Sequence, residues 1–256
     1  MAMDNRGRTI SDLESEIQYL KKLLDDNGIS YDYEAHLRAL RSEVGDIVFP
    51  ELGPEYASLL YSYFKGRRDV YAQRARNGQG YYTQCNYFWK PGICPKRSGA
   101  KIKCQDCPSR DYTELRGKVI LDHLQGNRED CGDVVGLYPL FPDSTCWFLV
   151  FDFDNHDEES EPSKGWEQEV NALRQMCTIL GVDTLVERSR SGRGAHVWIF
   201  FSDPIQASKA RKFGEALLRK GAESVSLKNF TYYDRMMPMQ DFLPEGKLGN
   251  LIALPL

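Results

Sequence analysis

Trp147-Phe148-Leu149-Val150-Phe151-Asp152-Phe153-Asp154 is the stretch that decides how this 256-residue chain folds. A bulky apolar run of this length, rich in aromatic and β-branched residues, predicts a buried strand. Successive side chains of a strand alternate faces, so Asp152 and Asp154 leave its end on the same side. Two carboxylates so close repel and raise each other's pKa unless positive charge lies between them. Hard oxygen donors of this kind suit Mg²⁺ or Mn²⁺. The plainer alternative is a pair of solvated aspartates at a strand end. Asn155, His156 and Asp157 continue into an acidic loop compatible with ordinary surface.

The rest of the chain sets bounds on that reading. With 41% hydrophobic and 27% charged residues, the composition is that of a globular protein rather than a disordered or fibrous one. No apolar run approaches the roughly 18 residues that span a membrane, and no secretory signal opens the chain. A cytoplasmic protein without a membrane partner is expected. Seven cysteines, an odd number with four clustered, fit a reducing compartment and a metal site better than a disulfide framework. A net charge of −4 argues against a surface that binds polyanions all over. Residues 65–128, however, carry fourteen Lys/Arg against five Asp/Glu. Such a local basic surface suits nucleic acid or nucleotide phosphates, though a solvated face can look the same.

Upstream, Ser11 and Glu14 form a capping-box pattern. Ile10, Leu13, Ile17, Leu20 and Leu24 then recur at helical spacing until Gly28. Residues 1–30 therefore read as a tail and an amphipathic helix that either docks on the core or forms a weak homodimer. Tyr31 to Tyr63 is again helical in pattern, with a break at Pro50 and Pro54. Arg67, Arg68 and Arg74 follow among aromatics, a mixture that suits nucleic-acid binding or an ordinary exposed face. Cys104 and Cys107 have the spacing of a zinc knuckle, and Cys85 and Cys94 can complete a tetrahedral four-thiolate set. A redox Cys-x-x-Cys pair is the alternative. Cys131, Cys146 and Cys177 read as core thiols, with Cys131 a substitute ligand. His123 reads as a satisfied structural histidine.

Val134–Leu140 is predicted to pair with the Asp152 strand as a hairpin through Pro142-Asp-Ser. Residues 165–180 are predicted as an amphipathic helix, 184–188 as a strand and 208–220 as a helix. Between them, Ser189-Arg-Ser-Gly-Arg-Gly-Ala-His-Val-Trp-Ile-Phe-Phe201 is a basic, glycine-punctuated turn entering a strand, with His196 at the strand's start. Backbone N–H groups, Arg190, Ser191 and Arg193 could meet phosphates there, or the turn could be a plain hairpin. Asp234 and Asp241 are two further carboxylates near the C-terminal end.

An Asp-x-Asp strand, a Gly-rich turn leading to a histidine and a later lone Asp, in that order, resemble the archaeo-eukaryotic primase superfamily. Phe64-Lys-Gly-Arg-Arg-Asp-Val-Tyr71, the four-cysteine insert, Gly136-Leu-Tyr-Pro-Leu140, Phe151-Asp-Phe-Asp154, Ser191-Gly-Arg-Gly-Ala-His-Val-Trp198 and Gly249-Asn-Leu-Ile-Ala-Leu-Pro-Leu256 resemble one branch, the primase domain of TOTE conflict systems. That branch is related to CRISPR-associated primase-polymerases. The resemblance implies an α+β catalytic core over residues 31–256, built from an N-terminal α/β unit and an RRM-like unit, with a zinc module at about 85–107. It implies a template-dependent primase-polymerase using a single-stranded template, primer and nucleoside triphosphates, with two Mg²⁺ or Mn²⁺ ions and a structural Zn²⁺. Asp152, Asp154 and, by its distance from Pro255, Asp241 in preference to Asp234 would hold the catalytic ions. His196 would bind the nucleotide's phosphates with Arg190, Ser191 and Arg193, and Arg67, Arg68 and Arg74 would bind nucleic acid. Longer members continue into a helicase and a nuclease, and the role implied is one in a mobile-element conflict. A metal-dependent nuclease, or an inactive zinc-bearing nucleic-acid-binding module, would use the same features.

Overall fold

The structure is a computed structural model that describes residues 10–32, 51–156, 165–224 and 230–255. The chain divides into two compact units, residues Met1–Glu51 and Leu52–Leu256. In the first, helix α1 (Ile10–Asp26) ends where Gly28 and Ile29 return N–H groups to the Asp25 and Leu24 carbonyls. Its apolar positions Ile17 and Leu20 are exposed. The expected helix between Tyr31 and Pro50 falls almost entirely outside the described residues.

The second unit begins with α2 (Pro54–Tyr63) and contains two four-stranded antiparallel sheets. The first sheet has the order β2-β1-β3-β8, from β1 (Ala72–Arg74), β2 (Tyr81–Thr83), β3 (Val135–Leu137) and β8 (Ile252–Ala253). Helix α3 (Gly117–Gln125) packs against α2 and β3. The cysteine-rich segment lies between β2 and α3.

The second sheet has the order β5-β6-β4-β7: β4 (Thr145–Asp154), β5 (Leu185–Arg188), β6 (Gly194–Gln206) and β7 (Tyr233–Met237). Helix α4 (Trp166–Ile179) joins β4 to β5, and α5 (Ala207–Ser224) joins β6 to β7. The chain order β4-α4-β5-β6-α5-β7 is a split βαβ unit, the arrangement of an RRM-like domain.

Alternation along β4 assigns the two faces. Leu149, Phe151 and Phe153 enter the core under α4 and α5 with Val170, Leu173, Val197 and Leu217. Phe148 and Val150 enter a second core with Trp198, Val135, Leu137 and Ile252, which joins the two sheets. All five β4 side chains are fully buried, each contributing at most about 1.5–3 kcal/mol by removal from water.

The expected β3–β4 hairpin does not form. A tight turn links the strands, with Ser144 at φ 62 and the Phe141 N–H on the Thr145 carbonyl. Beyond the turn the strands separate: β3 pairs with β1 and β8, β4 with β6 and β7. Among the described residues no helix is long and apolar enough to cross a membrane.

Candidate active site

The face of β4 that buries Phe148 and Val150 goes on to present Asp152 and Asp154. Across the sheet Asp152 is in register with His196 of β6 and Arg235 of β7, and His196 with Glu187 of β5. The sheet thus lines up Glu187, His196, Asp152 and Arg235 in one row. His196 Nδ1 lies 3.0 Å from Glu187 Oε2, and its Nε2 lies 3.5 Å from Asp152 Oδ1. Glu187 Oε2 also accepts the Trp198 indole N–H at 3.1 Å, which fixes the carboxylate from two sides. Burial presses the His196 pKa down, but Glu187, Asp152 and Asp154 outweigh it and hold it above the ordinary imidazole value.

A β-bulge brings another carboxylate to the row. Between the Asp152–Arg235 and Phe153–Tyr233 pairs, β7 holds one extra residue, Asp234. Bulges of this kind re-aim a side chain. Burial pushes the Asp152 pKa above the usual carboxylate range, and the charges of Asp234 and Asp154 push it the same way against His196 and Arg235. Arg235 spans two of these acids, with Nε 2.6 Å from Asp234 Oδ2 and 3.8 Å from Asp152 Oδ2. The buried Glu169 of α4 holds the entry to β7 by accepting the Thr231 and Tyr232 N–H groups at 2.5 and 2.9 Å.

Asp241 stands elsewhere. Its Oδ1 accepts from Arg211 Nε of α5 at 2.7 Å, and it lines a small surface cavity with Met239 and Phe242. The structure thus brings Asp234, not Asp241, to Asp152. Glu187, Glu169 and Arg235 had no local signal that marked them beforehand.

The Gly-rich turn runs from β5 into β6. Ser189 N–H reaches the Gly194 carbonyl, Gly192 N–H reaches the Ser189 carbonyl, and the Arg188 guanidinium caps the Gly192 carbonyl at 3.0 Å. Ser191 Oγ accepts the Arg193 N–H at 3.2 Å, and Arg193 Nε lies 3.4 Å from the Asn155 carbonyl. Arg190 and Ser191 are exposed on the turn. Gly194 faces Asp154 in register, and a Cβ placed there would lie 2.1 Å from the Phe153 carbonyl oxygen. Only glycine allows β6 to approach the end of β4 so closely.

The expected nucleic-acid arginines separate. Arg67 is buried, pairing with Asp69 and donating to the Lys247 carbonyl at 3.1 Å, so it ties the fold together. Arg68 stacks its guanidinium 4.1 Å over Tyr61. Arg74 lines a separate cavity, described below.

Cys85, Cys94, Cys104 and Cys107 line one cavity of about 30 Å³ with Ile102 and Tyr112, and none forms a disulfide. Cys85 Sγ accepts backbone N–H groups from Tyr87 at 3.4 Å and Asp111 at 3.5 Å. Desolvation pushes the Cys94 thiol up, but the backbone N–H groups of Trp89, Lys96 and Arg97 bring it below its ordinary value. Cys131 lies outside this cavity, its thiol directed at the Glu129 carbonyl. Among the described residues no group of three His, Cys, Asp or Glu is placed to hold a metal ion.

The profile of the TOTE conflict system archaeo-eukaryotic primase domain matches residues 55–256. The chain belongs to this family. At family level this makes it a primase domain of the nucleotidyltransferase kind. No curated protein sequence matched. Among solved structures, the polymerase domain from Mycobacterium tuberculosis Ligase D in complex with DNA is similar, at 16% identity and a TM-score of 0.41. The match covers 68% of this chain and 62% of that one, so less than two thirds of that structure is spanned.

Proposed function

We propose that this primase domain is a template-dependent nucleotidyltransferase that extends nucleic acid on a single-stranded template in the cytoplasm, within a mobile-element conflict or defence system. The observation that carries the reading is the convergence of Asp152, Asp154 and Asp234 beside a histidine fixed by Glu187. Acceptor-only carboxylates fit divalent cations, burial and the charges of Asp234 and Asp154 push the Asp152 pKa up, and a guanidinium already lies between two of the acids. As they stand no three of the described acids are set around a cation, so Asp152, Asp154 and Asp234 would have to draw together, with Arg235 displaced, to hold two Mg²⁺ or Mn²⁺ ions. When bound, such ions activate a 3′-hydroxyl and offset charge on the phosphates.

The chain's own part is positioning. His196, held at Nδ1 by Glu187, offers its Nε2 side to the phosphates of the incoming nucleotide. Arg190, Ser191, Arg193 and the turn's backbone N–H groups add donors. Arg235 releases the acids it now neutralises and becomes a further cation for the phosphates. Nothing covalent is asked of the protein, so its contribution is preorganised charge.

Cys85, Cys94, Cys104 and Cys107 would hold a structural Zn²⁺ if they drew in around it: no three are set as ligands as they stand, but the four thiols share one cavity and backbone N–H donors already serve two of them. The test of the activity is incorporation of labelled nucleotide on a single-stranded template, with and without primer, in Mg²⁺ and in Mn²⁺. Product that needs template, metal and both Asp152 and Asp154 supports the reading. Product from a folded Asp152→Ala, Asp154→Ala protein refutes it, and metal-dependent strand loss without incorporation makes the domain a nuclease.

A further inference from the structure

A cavity of about 580 Å³ opens beside the first sheet, and none of its lining belongs to the carboxylate row. Arg74, Arg76 and Arg128 line it together with Tyr82, Phe88 and Trp89. The three rings are 43%, 43% and 51% exposed, large apolar groups left in water within one short module. Their centroids follow one another at 6.0 Å and 6.0 Å, tilted by 43° and 41°, so neither pair stacks face to face. Trp89 has φ 58, a left-handed conformation costly for a bulky residue. The turn holds it there: Lys90 N–H bonds the Tyr87 carbonyl and Arg97 bonds the Trp89 carbonyl at 3.2 Å.

The charge of the cavity is also uneven. Arg128 grips Asp130 through Nε and Nη2 at 2.9 and 2.7 Å, and Arg76 lies 3.7 Å from the same carboxylate. Asp130, with Asp133 acting more weakly on Arg128, stands against three arginines. Arg76 keeps 80% of its side chain in water, and the Arg74 guanidinium bonds the Gly78 carbonyl at 3.4 Å.

We infer that this cavity binds single-stranded nucleic acid, with unpaired bases stacked on Tyr82, Phe88 and Trp89 and phosphates set against Arg74, Arg76 and Arg128. Free ring faces require bases whose own faces are uncovered, which a duplex does not offer. Arginines flanking them supply the charge that the strand's backbone needs. This deepens the proposed function by assigning the template a path remote in sequence from the carboxylates.

The experiment measures anisotropy of labelled strands of about 12 nucleotides, one with bases and one abasic, at several salt concentrations with the whole chain. Phe88→Ala, Trp89→Ala together should weaken the base-bearing strand about ten- to a hundredfold and leave the abasic strand nearly unchanged. Arg76→Gln, Arg128→Gln should weaken both strands and lower the salt slope by about 1 to 1.5. Wild-type affinity in the aromatic variant, equal losses on both strands, or no binding of single strands by the parent chain overturns the site. Incorporation assays separate the two readings. Stacking-dependent binding without incorporation keeps the site and removes the polymerase. Incorporation with an aromatic variant of unchanged affinity keeps the polymerase and removes the site.

Discussion

The two sheets of the second unit are built by different means. In the β5-β6-β4-β7 sheet, strands of ten and thirteen residues pair along most of β4, and two helices bury one of its faces. In the β2-β1-β3-β8 sheet no strand exceeds three residues. Side chains there tether the backbone instead: His123 to Val135 and Pro255, Tyr61 to the Gly66 carbonyl, Arg67 to the Lys247 carbonyl. A long ladder can carry buried acids at its end because its position is fixed many times over. A sheet of short strands depends on a few polar bonds, each of which can be broken singly.

The sharpest way to break this contrast is at the ladder's charged end. Asp234→Asn should reduce incorporation about a thousandfold or more, the scale at which a metal clamp supports phosphoryl transfer. Asp241→Asn should stay within a few-fold, because it loses only an exposed pair with Arg211, worth about 0.2–1 kcal/mol. Steady-state incorporation by the two variants, with unfolding midpoints to confirm folding, checks the pair. The reverse order of effects would return the third acid to Asp241.

Gly194→Val comes next. Its Cβ has no room beside the Phe153 carbonyl, so the β4–β6 ladder must shift where Asp154 and His196 meet. About 2 kcal/mol or more of stability should be lost, together with most activity, as read from urea unfolding and incorporation. A folded, active Gly194→Val protein would show that the ladder's end is softer than its register suggests.

The same contrast explains what could be read in advance. Residues 147–154 announce their strand because a long run of bulky aromatic and β-branched residues outvotes any local accident, and the shared side of Asp152 and Asp154 follows from it. Strands of three residues leave no period to detect, so β1 and β2 carry no signal of their own, whereas the apolar Leu251-Ile-Ala-Leu254 run reads as a strand and contains β8. Asp234 was visible as a residue but not as a partner: its place depends on a bulge in β7 opposite Phe153. Chain distance from Pro255 favoured Asp241 because it cannot register such a bulge. Arg67 reads in sequence as a phosphate ligand, but its burial beside Asp69 and the Lys247 carbonyl, set by distant parts of the chain, makes it a tie within the fold.

The cysteine module tests how far the first sheet's surroundings stand on their own. One zinc per chain is expected by elemental analysis, and none in Cys104→Ser, Cys107→Ser. Because β4 and β6 bury their core without the module, far-ultraviolet circular dichroism of that variant should change little. A full loss of structure would mean that the two regions fold as one.

The smallest effect expected is a pH dependence confined to the first sheet's tether. His123 is fully buried, with Nδ1 taking the Val135 N–H at 3.3 Å and Nε2 within 3.0 Å of the Pro255 carbonyl. A backbone N–H can only donate and a carbonyl can only accept, so the folded ring is neutral, with its proton on Nε2. Burial lowers its pKa below the ordinary imidazole value near 6.5, against the pull of Asp133 and Glu187. As pH falls through that ordinary value the unfolded chain takes up a proton that the folded chain refuses, so this stability is present above it and lost below. Urea midpoints of the parent chain minus those of His123→Gln should therefore decline as pH drops from about 7 to about 5. Taking the difference cancels the other histidines, including His196, whose raised pKa acts with the opposite sign. A flat difference would mean that the tether tolerates a charged ring, and the short-stranded sheet would then be held mainly by its apolar contacts with Phe148 and Trp198.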